Sequence, residues 1–109
     1  MWWTDAPAIL KGWFDRVWTV GWAYHPSRPR PAKKALVLCS AGHTVEHLRE
    51  TGLLQSMEAV MLVDRIFDRA AAKDFRLFGG SEVLVAEEWA QVRHHHLEEA
   101  RTLGREIDM

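Results

Sequence analysis

The sequence predicts a single α/β domain over residues 1–109, with a short parallel sheet flanked by helices. Periodic apolar stretches alternate with short apolar runs, which gives the order helix, strand, helix, strand, helix. The run 35–41 (ALVLCSA) is apolar without alternation, which is typical of a parallel strand covered on both faces. A length of 109 residues leaves room for one domain.

The first predicted helix begins after Asp5, because Asp is a favourable N-cap and Pro7 fits the first turn. Apolar side chains then recur at helical spacing, at Ile9, Leu10, Trp13, Phe14, Val17 and Trp18. We expect this helix to end near Gly21. Three prolines within residues 24–31 predict a loop there.

The second half is predicted to contain two further helices. Residues 44–55 are mixed in character and indicate a loop or a short helix. A helix is expected from Ser56 to about Ala72, with Arg65 among its solvent-facing charges. Its buried face is predicted to carry Val60, Val63, Phe67 and Ala70. A last helix is predicted from apolar residues spaced by three and four, at Trp89, Val92, His96, Ala100, Leu103 and Ile107.

Two more strand-like segments complete the predicted sheet. Residues 75–78 indicate a short strand, and Gly79-Gly80 indicates a turn or bulge after it. Residues 83–85 are expected to extend or re-enter the sheet, and residues 1–3 indicate a strand fragment. Such a sheet is thin for its class.

Composition excludes several functional classes. Lys+Arg numbers 14 against 15 for Asp+Glu, without the basic excess expected of a nucleic-acid-binding protein. No apolar run reaches the length of a membrane span, and no signal-peptide pattern opens the chain. The single Cys39 cannot form an intrachain disulfide. We therefore expect a cytoplasmic protein that neither binds nucleic acid nor inserts into membranes.

Carboxyl ends of parallel strands are the first place to expect a ligand. Here they give residues 2–5, rich in aromatic area, and residues 40–44, with small side chains and exposed backbone N–H groups. Together these loops suit a flat aromatic ligand with polar edges. The alternative is that the tryptophans are core residues and that residues 40–44 are only a tight connection.

The remaining histidines and the cysteine suggest structural roles. His43 and His47 are four residues apart, but no second ligand pair accompanies them, so no metal site is predicted. The three histidines 94–96 point in different directions on a helix, and of these His96 is expected to pack. Cys39 is expected to be an unreactive buried thiol.

Residues 2–17 (WWTDAPAILKGWFDRV) and 21–24 (GWAY) resemble the flavodoxin-like NAD(P)H:quinone oxidoreductase family. This family includes quinone reductases, modulator-of-drug-activity proteins and ancillary subunits of potassium-efflux antiporters. The resemblance covers the C-terminal half of a family member. It implies a partial flavodoxin-like fold, in which the N-terminal strands and the phosphate loop are missing and Met1 falls near the end of the third strand.

The resemblance also implies a site. The loop after the third strand corresponds to Trp2, Trp3 and Thr4, and the turn after the fourth strand corresponds to residues 40–43. The flavin-contacting residues of that turn are Ser40, Ala41, Gly42 and His43. The Tyr and His that assist hydride transfer in the family have no clear match here. His43 and His47 are the candidates for a proton relay, and His43 is the one assigned a catalytic role. The turn departs from the Thr-Thr-Gly-Gly common in the family, and Leu48 stands near the position of a family tyrosine.

The implied function is NAD(P)H-dependent reduction of quinones or related acceptors, by two-electron hydride transfer through FMN or FAD. The implied assembly is a homodimer. A chain without the phosphate anchor is expected to bind flavin weakly on its own. Two alternatives stay open: a non-enzymatic dimerising module like the potassium-efflux ancillary subunits, and a non-functional remnant.

Overall fold

The computed structural model describes residues 4–18, 31–83 and 85–107, and its elements follow the predicted order. The predicted strand at 1–3 and most of the predicted loop at 24–31 lie outside these residues. In chain order the elements are α1 (Ala8–Val17), β1 (Ala32–Ser40), α2 (Val45–Glu50), α3 (Leu53–Glu58), a π-helix (Ala59–Ile66), β2 (Ala70–Phe78) and α4 (Ala86–Glu106).

The sheet of the described residues consists of β1 and β2, which pair in parallel. Ala32 lies opposite Ala70 at one end and Ser40 lies opposite Phe78 at the other. Residues 45–66 form the helical crossover that a parallel pair requires. The predicted short parallel sheet flanked by helices is confirmed, and both strands are longer than predicted.

The core lies against one face of this sheet. Val37 and Cys39 of β1 are opposite Phe75 and Leu77 of β2, and all four belong to the hydrophobic cluster. Its other members come from the crossover helices and the turn after β1: Ala41, Val45, Leu48, Leu54, Met57, Met61 and Leu62. These contacts fix the carboxyl ends of both strands relative to the helices.

The expectation that β1 is covered on both faces is wrong for the described residues. No residue of β1 is fully buried, and Leu38 is 59% exposed. Successive side chains alternate between faces, so Leu38 points away from the face that Val37 and Cys39 share. The crossover helices cover only that face.

The predicted helix from Ser56 to Ala72 has different bounds and a different buried face. The helix becomes a π-helix at Ala59 and ends at Ile66. Val63 and Phe67, predicted to be buried, are 64% and 54% exposed, whereas Arg65 is only 8% exposed. A π-helix bonds i→i+5 and winds wider than 3.6 residues per turn, so a 3.6-residue periodicity assigns its faces wrongly.

Three predicted boundaries differ from those in the structure. Residues 70–72 are good helix formers but pair with β1 as the start of β2. Asp5 is not the cap of α1, since Pro7 occupies that position and the helix ends at Val17, while Gly21 lies outside the described residues. Val83 has no regular structure and Val85 caps α4, so the predicted strand at 83–85 is not formed by the residues described there.

The C-terminal helix is confirmed as α4. His96 packs as predicted, with its Nε2 2.9 Å from the carbonyl oxygen of Gly79 and its ring edge-on to Phe78 at 5.4 Å. His94 and His95 are exposed. The contact of His96 ties α4 to the carboxyl end of β2.

Candidate functional site

The turn after β1 is held in place by the segment that follows β2. Residues 41–43 present three successive carbonyl oxygens, and each accepts a backbone hydrogen bond from residues 80–82. The bonds run from Gly80 N–H to the oxygen of His43 at 2.8 Å, from Ser81 N–H to that of Ala41 at 3.3 Å, and from Glu82 N–H to that of Gly42 at 3.1 Å. The turn therefore has a fixed backbone.

These bonds also determine where the amide N–H groups of the turn point. In a planar trans peptide the carbonyl oxygen and the next N–H point in opposite directions. Because the oxygens of residues 41–43 face the 80–82 segment, the N–H groups of Gly42, His43 and Thr44 face away from it. The turn presents a row of hydrogen-bond donors on its other side.

A cavity of about 290 Å³ brings the two predicted loops together. Thr4 from the segment before α1 and Ser40 from the end of β1 both line it. The other lining residues are Asp5, Ala6, Pro7, Leu10, Val37, Leu38, Cys39, Met57, Val60, Met61 and Phe75. The sheet face, the crossover helix and the start of α1 thus enclose one largely apolar space.

The remaining predicted site residues lie beside this cavity or outside the described chain. Ala41, Gly42 and His43 follow Ser40 directly but are not among the lining residues, and Ala41 is buried in the core. Trp2 and Trp3 lie outside the described residues. The structure therefore juxtaposes the Thr4 and Ser40 ends of the two predicted loops.

Cys39 lines the cavity as a protonated thiol. Burial raises the pKa of the Cys39 side chain above its ordinary value. The thiolate, which is the nucleophilic form, is correspondingly disfavoured at neutral pH. This agrees with the prediction of an unreactive thiol.

His43 and His47 form a stacked pair on the surface next to the turn. Their ring centroids are 4.6 Å apart and the rings are tilted by 34°. Thr44 caps α2 between them by accepting a hydrogen bond from the N–H of His47 at 3.1 Å. Within the residues described here, no group of three or more His, Cys, Asp or Glu side chains is placed to hold a metal ion.

An ion pair that the sequence does not predict borders this site. Arg65 Nη1 lies 3.2 Å from Asp5 Oδ1. Among the described residues, Arg65 is the one charged residue that is buried. Asp5 was predicted as a helix cap and Arg65 as a solvent-facing charge. No local sequence pattern links two residues sixty positions apart, and the π-helix that carries Arg65 turns this side chain away from the face that helical periodicity predicts.

Of the helices in the described ranges, none has the combination of length and apolar character needed to cross a bilayer.

Comparisons with known proteins show which family the chain resembles. A family model described as "Flavodoxin-like fold" matches residues 1–103. A solved NAD(P)H:quinone oxidoreductase from Methanothermobacter marburgensis is 42% identical with a TM-score of 0.84, over 98% of this chain and 54% of that one.

Curated proteins match over shorter segments. The uncharacterized NAD(P)H oxidoreductase YdeQ of Bacillus subtilis is 35% identical over 52 residues, covering 48% of this chain and 26% of that protein. The ribosyldihydronicotinamide dehydrogenase-like protein traD of Penicillium crustosum is 31% identical over 74 residues, covering 56% of this chain and 28% of that protein. The chain thus spans about half the length of the solved relative. It belongs to the Flavodoxin_2 family and has a flavodoxin-like fold.

Proposed function

We propose that this chain forms the flavin-ring-facing part of an NAD(P)H-dependent oxidoreductase that reduces quinones or related acceptors by two-electron hydride transfer. The observation that carries the proposal is the meeting of Thr4 and Ser40 at one cavity beside the carboxyl end of β1. The 42% identity to an NAD(P)H:quinone oxidoreductase supports the same assignment. Ligands of open α/β sheets bind at this edge.

The residues present fit the ring of FMN or FAD. When bound, a flavin supplies hydride transfer between NAD(P)H and the acceptor. The N–H groups of Gly42 and His43, in the turn that follows Ser40, would donate to the carbonyl edge of a bound ring and stabilise negative charge that develops there. Val37, Met61 and Phe75 form an apolar part of the cavity wall, which would keep water from a ring bound there.

Within this proposal His43 is the proton-relay residue. It lies in the turn that presents the N–H donors, and its exposed ring contacts that of His47. An imidazole ring can both accept and donate a proton through its two nitrogens. His43 would therefore exchange with solvent the proton that accompanies hydride transfer to the acceptor.

Flavin titration tests the proposal. We expect saturable binding of FMN, FAD and riboflavin to the 109-residue chain, with dissociation constants above about 1 μM, because no Gly-rich phosphate loop occurs in the sequence. Riboflavin has no phosphate, so its affinity should match that of FMN within about threefold.

Two outcomes would count against these expectations. Absence of saturable binding for all three compounds, measured by flavin fluorescence, would contradict the proposed function. FMN affinity far tighter than that of riboflavin would show a phosphate anchor that the sequence analysis does not find.

We further propose that α1 pairs with a second copy of the chain. No residue of α1 is buried, and Ile9 and Trp13 are 90% and 46% exposed. A shallow groove on this face includes Gly12, where an added Cβ would meet nothing within 4 Å. One face thus offers both a large aromatic side chain and a gap, as a two-fold symmetric interface requires. The same face supports the alternative of a non-enzymatic dimerising module.

Sedimentation equilibrium tests this pairing. We expect the wild-type chain to dimerise and Ile9→Glu to shift it to a monomer, because a carboxylate would be desolvated at the contact. Lys11→Gln, on the same helix in an exposed ion pair with Asp15, should leave the dimer intact. A monomeric wild-type chain would exclude the pairing, and a dimer that binds no flavin would favour the non-enzymatic module.

A further inference from the structure

We propose that Arg65 is a positioning residue, which acts through Asp5 to hold residues 4–7 at the cavity in the geometry that flavin binding needs. This inference rests on the proposed function, since it assigns these residues to the border of the flavin site. Thr4, Asp5, Ala6 and Pro7 all line the cavity. A contact that restrains residues 4–7 therefore also restrains one wall of the cavity.

The Arg65–Asp5 ion pair is formed by two contacts between the guanidinium and the carboxylate. Arg65 Nη1 lies 3.2 Å from Asp5 Oδ1, and Arg65 Nη2 donates to Asp5 Oδ2 at 3.5 Å. Each terminal guanidinium nitrogen therefore faces one carboxylate oxygen, which gives directional as well as electrostatic attraction. Arg65 is 8% exposed, and a buried charge is stable only when it is paired.

Contacts with Phe14, Met61 and Trp18 hold Arg65 in the orientation that reaches Asp5. Its guanidinium lies 5.5 Å from the centre of the Phe14 ring and 3.8 Å from the sulfur of Met61. Its carbonyl oxygen accepts a hydrogen bond from the indole N–H of Trp18 at 2.6 Å. Arg65 thus joins the π-helix to both ends of α1.

The segment that Arg65 holds needs a restraint. Thr4 has φ +69°, in the left-handed region that residues with a Cβ seldom adopt. Such a conformation persists only where surrounding contacts impose it. The Asp5 carboxylate also accepts the N–H of Ala6 at 2.7 Å, so the ion pair and this local bond both restrain Asp5, the residue next to Thr4.

The decisive variant is Asp5→Asn, with Asp15→Asn as its matched control. Asn keeps an oxygen that can accept the Ala6 N–H but removes the charge opposite Arg65. We expect the dissociation constant for riboflavin to rise about tenfold and exchange of backbone amides in residues 4–10 to accelerate. Asp15 belongs to an exposed pair with Lys11 on the same helix, so Asp15→Asn should change neither.

A double-mutant cycle separates positioning from general stability. Asp5→Asn combined with Arg65→Met should bind riboflavin no more weakly than the weaker single variant, because both changes remove one interaction. Arg65→Lys should retain part of the affinity that Arg65→Met loses, since Lys keeps the charge but not the paired donors. Amide exchange in β2 identifies any variant that has lost the fold as a whole.

The possible failures are distinguishable. If the wild-type chain binds no flavin, the proposed function is wrong. Amide exchange in residues 4–10 still reports whether the Arg65–Asp5 ion pair restrains residues 4–7. If the folded Asp5→Asn variant binds riboflavin within twofold of the wild type, Arg65 is not a positioning residue. Additive losses in the cycle would overturn the inference as well.

Discussion

Replacing Gly79 by Ala is expected to lower the free energy of unfolding by about 1–3 kcal/mol. A Cβ at Gly79 would lie 2.9 Å from both the carbonyl oxygen of His43 and the backbone nitrogen of Val45. Real Cβ atoms essentially never approach backbone so closely, and neither contact is the flexible end of a side chain. The turn after β1 or the start of α2 has to move.

Gly104→Ala is the matched control for this change. A Cβ at Gly104 would meet nothing within 4 Å, and the residue lies inside α4. Ala is preferred over Gly in a helix by about 1 kcal/mol, an amount that shrinks near a helix end. The same substitution should therefore destabilise the protein at Gly79 and leave it unchanged or more stable at Gly104.

Urea denaturation measures both changes, and riboflavin titration adds a functional reading for Gly79→Ala. Displacing residues 43–45 would disturb the row of N–H donors that the proposal assigns to the flavin ring. We expect weaker flavin binding with Gly79→Ala and unchanged binding with Gly104→Ala. Equal stability of the two variants would show that the close approach of the two turns is not a constraint on the fold.

The order of helices and strands could be predicted from the sequence because the spacing of apolar residues favours one type of secondary structure in each of the main segments. The continuous run 35–41 has the length of a strand and stops at small residues, and the spacing by three and four within 86–106 favours an amphipathic helix. A helical crossover between two neighbouring strands allows them to run parallel. The fold class follows from these two elements.

The faces of the crossover helix could not be predicted, because they depend on a backbone choice that leaves no periodic signal. Val63 and Phe67 are apolar yet exposed, and Arg65 is charged yet buried. The π-helix Ala59–Ile66 is closed by Lys73, whose ammonium donates to the carbonyl oxygen of Phe67 at 2.7 Å. Lys73 belongs to β2, so a contact from a distant element stabilises the end of the π-helix.

The candidate site also has one part that the sequence predicts and one part that it does not. That Thr4 and Ser40 lie near each other follows from the rule that parallel strands end at one edge, and both line the cavity. The ion pair between Asp5 and Arg65 joins side chains sixty positions apart, which no local sequence pattern connects. Trp2 and Trp3, the other half of the predicted site, lie outside the described residues and stay a prediction.

The largest loss of stability is expected from Leu48→Ala, at about 2–5 kcal/mol. Leu48 is 0% exposed and lies in α2, one element after the turn of residues 41–43. It packs in the same cluster as Ala41 and Phe75, so it connects that turn to β2. Although Leu48 stands near the position of a family tyrosine, complete burial gives it a packing role.

Leu97→Ala and Leu48→Met identify the cause of that loss. Leu97 is 44% exposed, so the same truncation there should cost under about 1 kcal/mol. Met nearly conserves the volume of Leu, so Leu48→Met should cost less than about 1.5 kcal/mol. If instead Leu48→Met destabilised the chain as much as Leu48→Ala, the site would demand the shape of Leu and not merely its volume. If Leu48→Ala cost no more than Leu97→Ala, the cluster under the turn would not be the core of the fold. The placement of the proposed flavin-facing N–H groups would then need another support.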